Sequence, residues 1–267
     1  MAAASFVPPS SLSLAERAEL FTAGYEDYVV PFALDAERLD FMERAFGTDL
    51  EESVVALVDG EAAGLANLAT SEGEGWVAGV GVVKARRGTG LGEALMRELL
   101  DRARHLGLER VWLEVIVENV AARTLYEKLG FEHVRLLDVW RLPGERGEAP
   151  AAPFGAAHDA VRRLRTWREP WQRTDETVER LQEVGPPLQG LAVEDGAAVV
   201  RVTDGLVTIV QLAAASEEGR DALVAGARAL GETVLLLNLP EDDPAAPALR
   251  RAAGEPAIRQ HELVLEL

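Results

Sequence analysis

Apolar residues along this 267-residue chain fall into two rhythms, one near 3.6 and one of 2. LSLAERAELFTAGYED and DAERLDFMERAFGTD space their apolar positions as helices do. ESVVALVDGEAAGLANLA reads as two strands about the turn Asp59-Gly60, and GWVAGVGVV as a strand rich in valine and glycine. GLGEALMRELLDRARHLGL is an amphipathic helix with Leu91, Leu95, Leu99 and Ala103 on one face. RVWLEVIV is a near-continuous apolar run, the pattern of a strand covered on both faces. NVAARTLYEKLG is a helix with Asn119 as N-cap and Gly130 as its stop, and FEHVRLLDVWRL closes the unit as one or two strands. The strand, helix, strand run over 76–117 predicts a right-handed βαβ crossover.

The same order returns later in weaker form. GLAVEDGAAVVRV matches the turn-linked strands, GRDALVAGARALG the long helix, ETVLLLNL the apolar strand and HELVLEL the closing strand. Asn119, Leu125 and Gly130 each find a counterpart 124 positions on, at Asp243, Leu249 and Gly254. A repeat of this length predicts duplication of one α/β unit. Between the copies, PGERGEAPAAPFGAAH has no hydrophobic period and is rich in Pro, Gly and Ala, the composition of a linker. The expected division is a first domain over 1–143, a linker over 144–158 and a second domain over 159–267.

Composition narrows the chemistry. Hydrophobic residues make up 48% and charged residues 27%, ample for a buried core. No apolar run reaches the ~20 residues that cross a bilayer, and MAAASFVPPSSLS has neither a basic region nor a long apolar stretch. No membrane role, no signal peptide and a cytoplasmic location are therefore expected. There is no cysteine, and His105, His133, His158 and His261 are scattered, so no metal site is expected. The net charge of −18 opposes a nucleic-acid groove and would draw a cationic or amine-bearing partner.

Against that acidic background, KARRGTGLGEAL carries Lys84, Arg86 and Arg87 with Gly88, Gly90 and Gly92, between a strand and a helix. A helix start presents unpaired N–H groups, and glycines let an anion approach them. A pyrophosphate suits such a loop. The P-loop pattern fails for want of a Lys-Ser/Thr pair, and the dinucleotide pattern fails because Glu93 stands at its sixth place. Arg87, Gly90 and Gly92 fit Arg-x-x-Gly-x-Gly. A glycine-softened turn that holds nothing is the alternative.

VVKARRGTGLGEALMRELL followed by LEVIVENVAARTLYEKLGFE resembles the GCN5-related N-acetyltransferase (GNAT) family over about residues 50 to 140. The resemblance implies the acyl-CoA N-acyltransferase fold, a mixed central sheet flanked by helices, here duplicated with a degenerate second copy. It implies that residues Arg87, Gly88, Thr89, Gly90, Leu91 and Gly92 hold the pyrophosphate of acetyl-CoA, the acyl donor. Val82 and Val83 would offer backbone to the pantetheine arm on a bulged strand that parts from its neighbour. Asn119 would contact the coenzyme, and Tyr126, two turns along the same helix face, would act as general acid toward the thioester sulfur.

Acyl transfer also needs a base to free the amine of its proton. Glu114, in an apolar strand on the face of Trp112 and Ile116, is one candidate, and Glu118 another. The acceptor expected is a small-molecule or peptide amine, and the assembly a monomer or homodimer. A non-catalytic acyl-CoA-binding or regulatory module is the alternative. In the second copy LAAASEEGRDAL has one glycine, with the two acids Glu217 and Glu218 at the loop position, and Arg250 replaces Tyr126. One active site, in the first copy, is therefore expected. Trp167 and Trp171 are expected as core or interface aromatics.

Overall fold

The two-residue turn foreseen at Asp59-Gly60 opens the first sheet. Asp59 and Gly60 both take positive φ (+56° and +84°), as a tight hairpin between right-twisted strands demands. The computed structural model describes residues 4–30 and 33–267. In chain order the first elements are β1 (Ser5–Val7), α1 (Leu14–Gly24), α2 (Ala36–Phe46), β2 (Thr48–Val58), β3 (Glu61–Ser71) and β4 (Glu74–Val82). They are followed by α3 (Leu91–His105), β5 (Arg110–Ile116), α4 (Val120–Lys128) and β6 (Glu132–Pro143). Then come β7 (Ala151–Ala152), α5 (Phe154–Leu164), α6 (Asp175–Val184), β8 (Leu188–Val193), β9 (Gly196–Thr203) and β10 (Leu206–Ala214). Last are α7 (Glu217–Arg228), β11 (Thr233–Pro240), α8 (Ala246–Arg251) and β12 (Glu255–Glu266). The order β2 to β6 is thus repeated from β8 to β12, and the duplication read from the sequence is present.

The chain forms two units by contact: Met1–Val134 with His261–Leu267, and Arg135–Gln260. In unit 1 the strand order is β1-β2-β3-β4-β5-β12. Its core lies between this sheet and α3, whose Leu91, Leu95, Leu99 and Ala103 are buried as the spacing predicts, against Val54, Ala66, Val111 and Leu113. Each such leucine contributes about 1.5–3 kcal/mol. The other sheet face is covered by α1 and α2, through Phe21 and Leu39 on Val55 and Leu65. In unit 2 the order is β6-β11-β10-β9-β8-β7.

Two features depart from the sequence reading. FEHVRLLDVWRL is one strand, β6, but it does not close the copy it follows. Its register runs antiparallel to β11, with Trp140 opposite Leu236 and Leu142 opposite Val234, and both side chains enter the unit 2 core. The strand beside β5 is β12, whose Leu263 is fully buried in the unit 1 core. The closing strands of the copies are therefore exchanged, and the units part at 134/135 and 260/261.

The second departure concerns 144–158, which is no free tether. Gly144 N donates to Glu232 O (2.7 Å), Glu145 N to Arg228 O (3.0 Å), and Pro150 O accepts from Ala192 N (2.8 Å). β7 and the start of α5 also lie within it. Proline and glycine were there for these close backbone contacts, not for looseness. Among the described residues, no helix is long and apolar enough to cross a membrane, and no cluster of His, Cys, Asp or Glu could hold a metal ion.

Candidate active site

The site begins with one extra residue. β3 and β4 pair Leu68 with Val77 but Asn67 with Gly79, so Ala78 is a β-bulge. The bulge reverses which face each later side chain takes. Val77 and, past it, Val80 and Val82 join the core under α3. Gly79 and Gly81 instead meet α1: a Cβ on Gly79 would stand 3.1 Å from Phe21 Cζ and from Tyr25 Oη, and one on Gly81 3.0 Å from Gly24 Cα.

β4 and β5 pair only from Glu74/Arg110 to Trp76/Trp112, while β4 continues to Val82 and β5 to Ile116. The paired part is clamped. Trp76 Nε1 donates to Glu114 (2.7 Å), Trp112 Nε1 to Glu74 (2.9 Å), and Arg110 to Glu74 (2.7 Å). Directly beyond these bonds the strands part, leaving a gap at their carboxyl ends. Glu114 is half-buried at its edge, and Glu118 is exposed.

Residues 84–92 lie beside that gap. Gly88 (φ +74°) and Gly90 (φ +87°) take left-handed backbone, and a Cβ on either would meet nothing within 4 Å. No side chain caps α3, so the amides of its first turn face open space. The charges expected to enrich this loop are engaged elsewhere. Lys84 pairs with Asp27 (2.8 Å) and Arg86 with Asp59 (3.1 Å). The Arg87 guanidinium donates to Val82 O (3.0 Å), Gly24 O (3.2 Å) and Glu26 O (2.7 Å), closing the end of α1. What this loop offers an anion is therefore mainly backbone N–H. Glu93, in the first turn, is bound by Lys128 (2.6 Å) and Arg97 (2.8 Å), and the Lys128 hydrogen bond leads in holding its carboxyl below the usual range.

Asn119 caps α4 by accepting from Ala122 N (3.2 Å), and its side chain also hydrogen-bonds to Tyr28. Tyr126 is buried, with Phe131 edge-on at 6.0 Å. Burial first, then nearby Tyr28, push its phenol pKa up. All three tyrosines of the chain converge here. Tyr25 stacks on Phe21 (4.8 Å), meets Tyr28 edge-on (5.0 Å) and hydrogen-bonds to the backbone of Val80. Tyr25 and Tyr28 also line an open hollow with Glu19, Glu26 and Asp27. Neither stands out in the sequence: Tyr25 sits at the end of the helical pattern LSLAERAELFTAGYED and Tyr28 just past it.

Unit 2 keeps the frame and loses the opening. β10 and β11 pair from Leu206/Thr233 to Ile209/Leu236, and a bulge falls at Val210. Where those strands part, the turn Trp171–Arg173 packs against both. Arg173 is buried beside Glu169 (3.2 Å), and Gln211 donates to Arg173 O (2.6 Å) and Asp175 (3.1 Å). Trp171 is buried in the same place. The start of α7 is occupied by side chains: its N-cap Ser216 Oγ accepts from Gly219 N (2.9 Å), and Asp195, from the turn between β8 and β9, accepts from Ser216 N (2.7 Å). Arg250, in the place of Tyr126, lies over the Trp140 ring at 5.3 Å.

Comparison with known proteins bears on the family and the fold. The family model described as the Acetyltransferase (GNAT) family matches residues 17–131. An N-alpha-acetyltransferase of Sulfurisphaera tokodaii is 33% identical over 137 residues, covering 46% of this chain and 78% of that protein. The ribosomal protein bS18-alanine N-acetyltransferase of Escherichia coli is 45% identical over 47 residues, 18% of this chain and 32% of that one. A GCN5-related N-acetyltransferase from Sphaerobacter thermophilus superimposes with TM-score 0.74 at 18% identity, over 98% of this chain and 95% of that one. A tandem GNAT protein from the clavulanic acid biosynthesis pathway does so with TM-score 0.70 at 14% identity, over 99% and 98%. With bulge, parted strands and uncapped helix in one copy, and the frame repeated in the other, the chain belongs to the GCN5-related N-acetyltransferase family, in tandem form, and is an N-acetyltransferase.

Proposed function

We propose that unit 1 binds acetyl-CoA and passes its acetyl group to a primary amine, the N-terminal amine of a protein or peptide first among acceptors. The observation that carries this reading is an uncapped helix start directly beside two strands that part. The backbone of residues 87–92 holds the pyrophosphate, and Val82 and Val83 pair with the amide-rich arm. Bound there, acetyl-CoA supplies an activated acyl group and a thiol leaving group.

The rest falls to this chain. Glu114 takes the proton of the attacking amine, directly or through water, from a position fixed by Trp76. Backbone N–H groups of the parted strand steady the charge that builds on the acyl oxygen. Tyr126 donates to the sulfur. Its burial raises the phenol pKa, while a free thiol titrates at about 8.5, so the phenol stays protonated and acts through a donated hydrogen bond. Asn119 serves the site by holding Tyr28 and the start of α4.

The acceptor class is supported by both named relatives, an N-alpha-acetyltransferase and an enzyme of a ribosomal protein's alanine. An α-amine titrates at about 7.7–8.0 against about 10.4 for lysine, so a carboxylate base has less to do. The acidic hollow beside Tyr25 and Tyr28 suits an arriving ammonium group. We assign the activity to the cytoplasm. The test is thiol release over peptides, polyamines, aminoglycosides and amino acids, with peptides fastest. Tyr126→Phe is expected to lower turnover by roughly 10²-fold with acetyl-CoA affinity unchanged. An equal loss of both would assign Tyr126 to packing, and binding without release for any amine would favour an acyl-CoA-binding module.

A further inference from the structure

The ring of Tyr25 is held by two aromatic neighbours. Phe21 stacks behind it with an interplanar angle of 5°, and Tyr28 meets it edge-on at 5.0 Å. Its hydroxyl lies where a Gly79 Cβ would be 3.1 Å away, closer than ordinary contact, and the backbone of Val80 bonds to it. The segment that carries these rings, the end of α1 and the turn after it, cannot retreat freely, because Gly24 and Gly81 already touch backbone to backbone and Arg87 ties Gly24 O and Glu26 O to the loop. The phenol therefore stands over the strand just past the bulge, and Tyr28 beside it hydrogen-bonds to Asn119, the cap of the helix that carries Tyr126. A thioester aimed at Tyr126 from the gap would direct its acyl group at this ring.

We propose, resting on the reading above, that Tyr25, backed by Phe21, sets the length of the acyl group, admitting acetyl and turning away chains of about four carbons. Each methylene that a closed apolar pocket must accept or refuse changes affinity about 10- to 200-fold. The wall is steric, so the ring matters and the hydroxyl does not.

Isothermal titration of the full chain with CoA, acetyl-CoA and butyryl-CoA tests this without knowledge of the acceptor. The wild type is expected to bind acetyl-CoA at least about tenfold more tightly than butyryl-CoA. Tyr25→Ala is expected to bring the two within about threefold, and Tyr25→Phe to keep the wild-type ratio. Should Tyr25→Ala not fold, Tyr25→Leu gives the same comparison with less volume lost. Equal affinities in the wild type, or an unchanged ratio in the shortened variant, would overturn the proposal alone. Absence of acetyl-CoA binding by the wild type would overturn the coenzyme site and this proposal with it.

Discussion

At Gly90 the backbone turns to φ +87° immediately before α3, which costs an L-residue about 1–3 kcal/mol. Gly90→Val is therefore expected to lower stability by that amount and also to place a branched side chain over the first-turn amides, weakening acetyl-CoA binding by roughly 100-fold or more. Calorimetry on the folded variant checks it, and unchanged affinity would move the coenzyme away from this loop. In unit 2, Asp175 accepts from Arg165 (3.0 and 2.8 Å), His158 (3.2 Å) and Gln211 (3.1 Å). Burial pushes its pKa up, but these hydrogen bonds outweigh burial and hold it well below the usual range. A lowered folded pKa contributes stability that is complete above the unfolded value, about 3.9, and lost as pH falls through and below it. Asp175→Asn is expected to cost about 1–3 kcal/mol at pH 7 and to flatten the acid limb of stability below pH 5, read by denaturant unfolding across pH. At this scale the glycine loop was legible because φ and spacing are local properties. The bond from Trp76 to Glu114 was not, since it joins residues on two strands. Nor were Tyr25 and Tyr28, whose role depends on α1 meeting a bulged strand.

Elements were read well wherever one rhythm persisted. The hairpin at 59–60, the buried face of α3 and the N-cap at Asn119 all follow from short-range pattern. The stretch 144–158 was misread because proline and glycine mark close backbone contact as well as freedom. The bulge at Ala78 is the element-scale device on which the site depends. Deleting Ala78 would turn Gly79 to Val82 by one face, driving Val80 and Val82 toward α1 and out of the core. The expected result is loss of acetyl-CoA binding together with a Tm lowered by several degrees, as about 1–3 kcal/mol of core packing is lost. A variant that melts and binds like the wild type would show that the register shift is incidental. The same contrast separates the two helix starts: α3 is uncapped and open, and α7 is filled by Ser216 and Asp195.

For the molecule as a whole, duplication was visible in residue order, but exchange of the closing strands was not, because β6 and β12 have similar patterns of exposed and buried positions. Unit 1 needs Leu263, which is fully buried, and a partner for the β5 edge. A fragment of residues 1–143 is expected to aggregate or to bind acetyl-CoA poorly, and Leu263→Ala in the full chain to cost about 2–5 kcal/mol by urea unfolding. A soluble fragment with full affinity would make β12 dispensable.

This arrangement also bears on how the protein is made. A ribosome delivers residues in order, so when Val134 emerges the half that carries Tyr126 still lacks its final strand. That strand leaves the exit tunnel only after the whole of 135–260. The nascent first half must wait with an open sheet edge, a state that chaperones protect and proteases find. Synthesis through β12 is thereby expected to be a condition for catalysis, and a chain terminated before it is expected to be inactive.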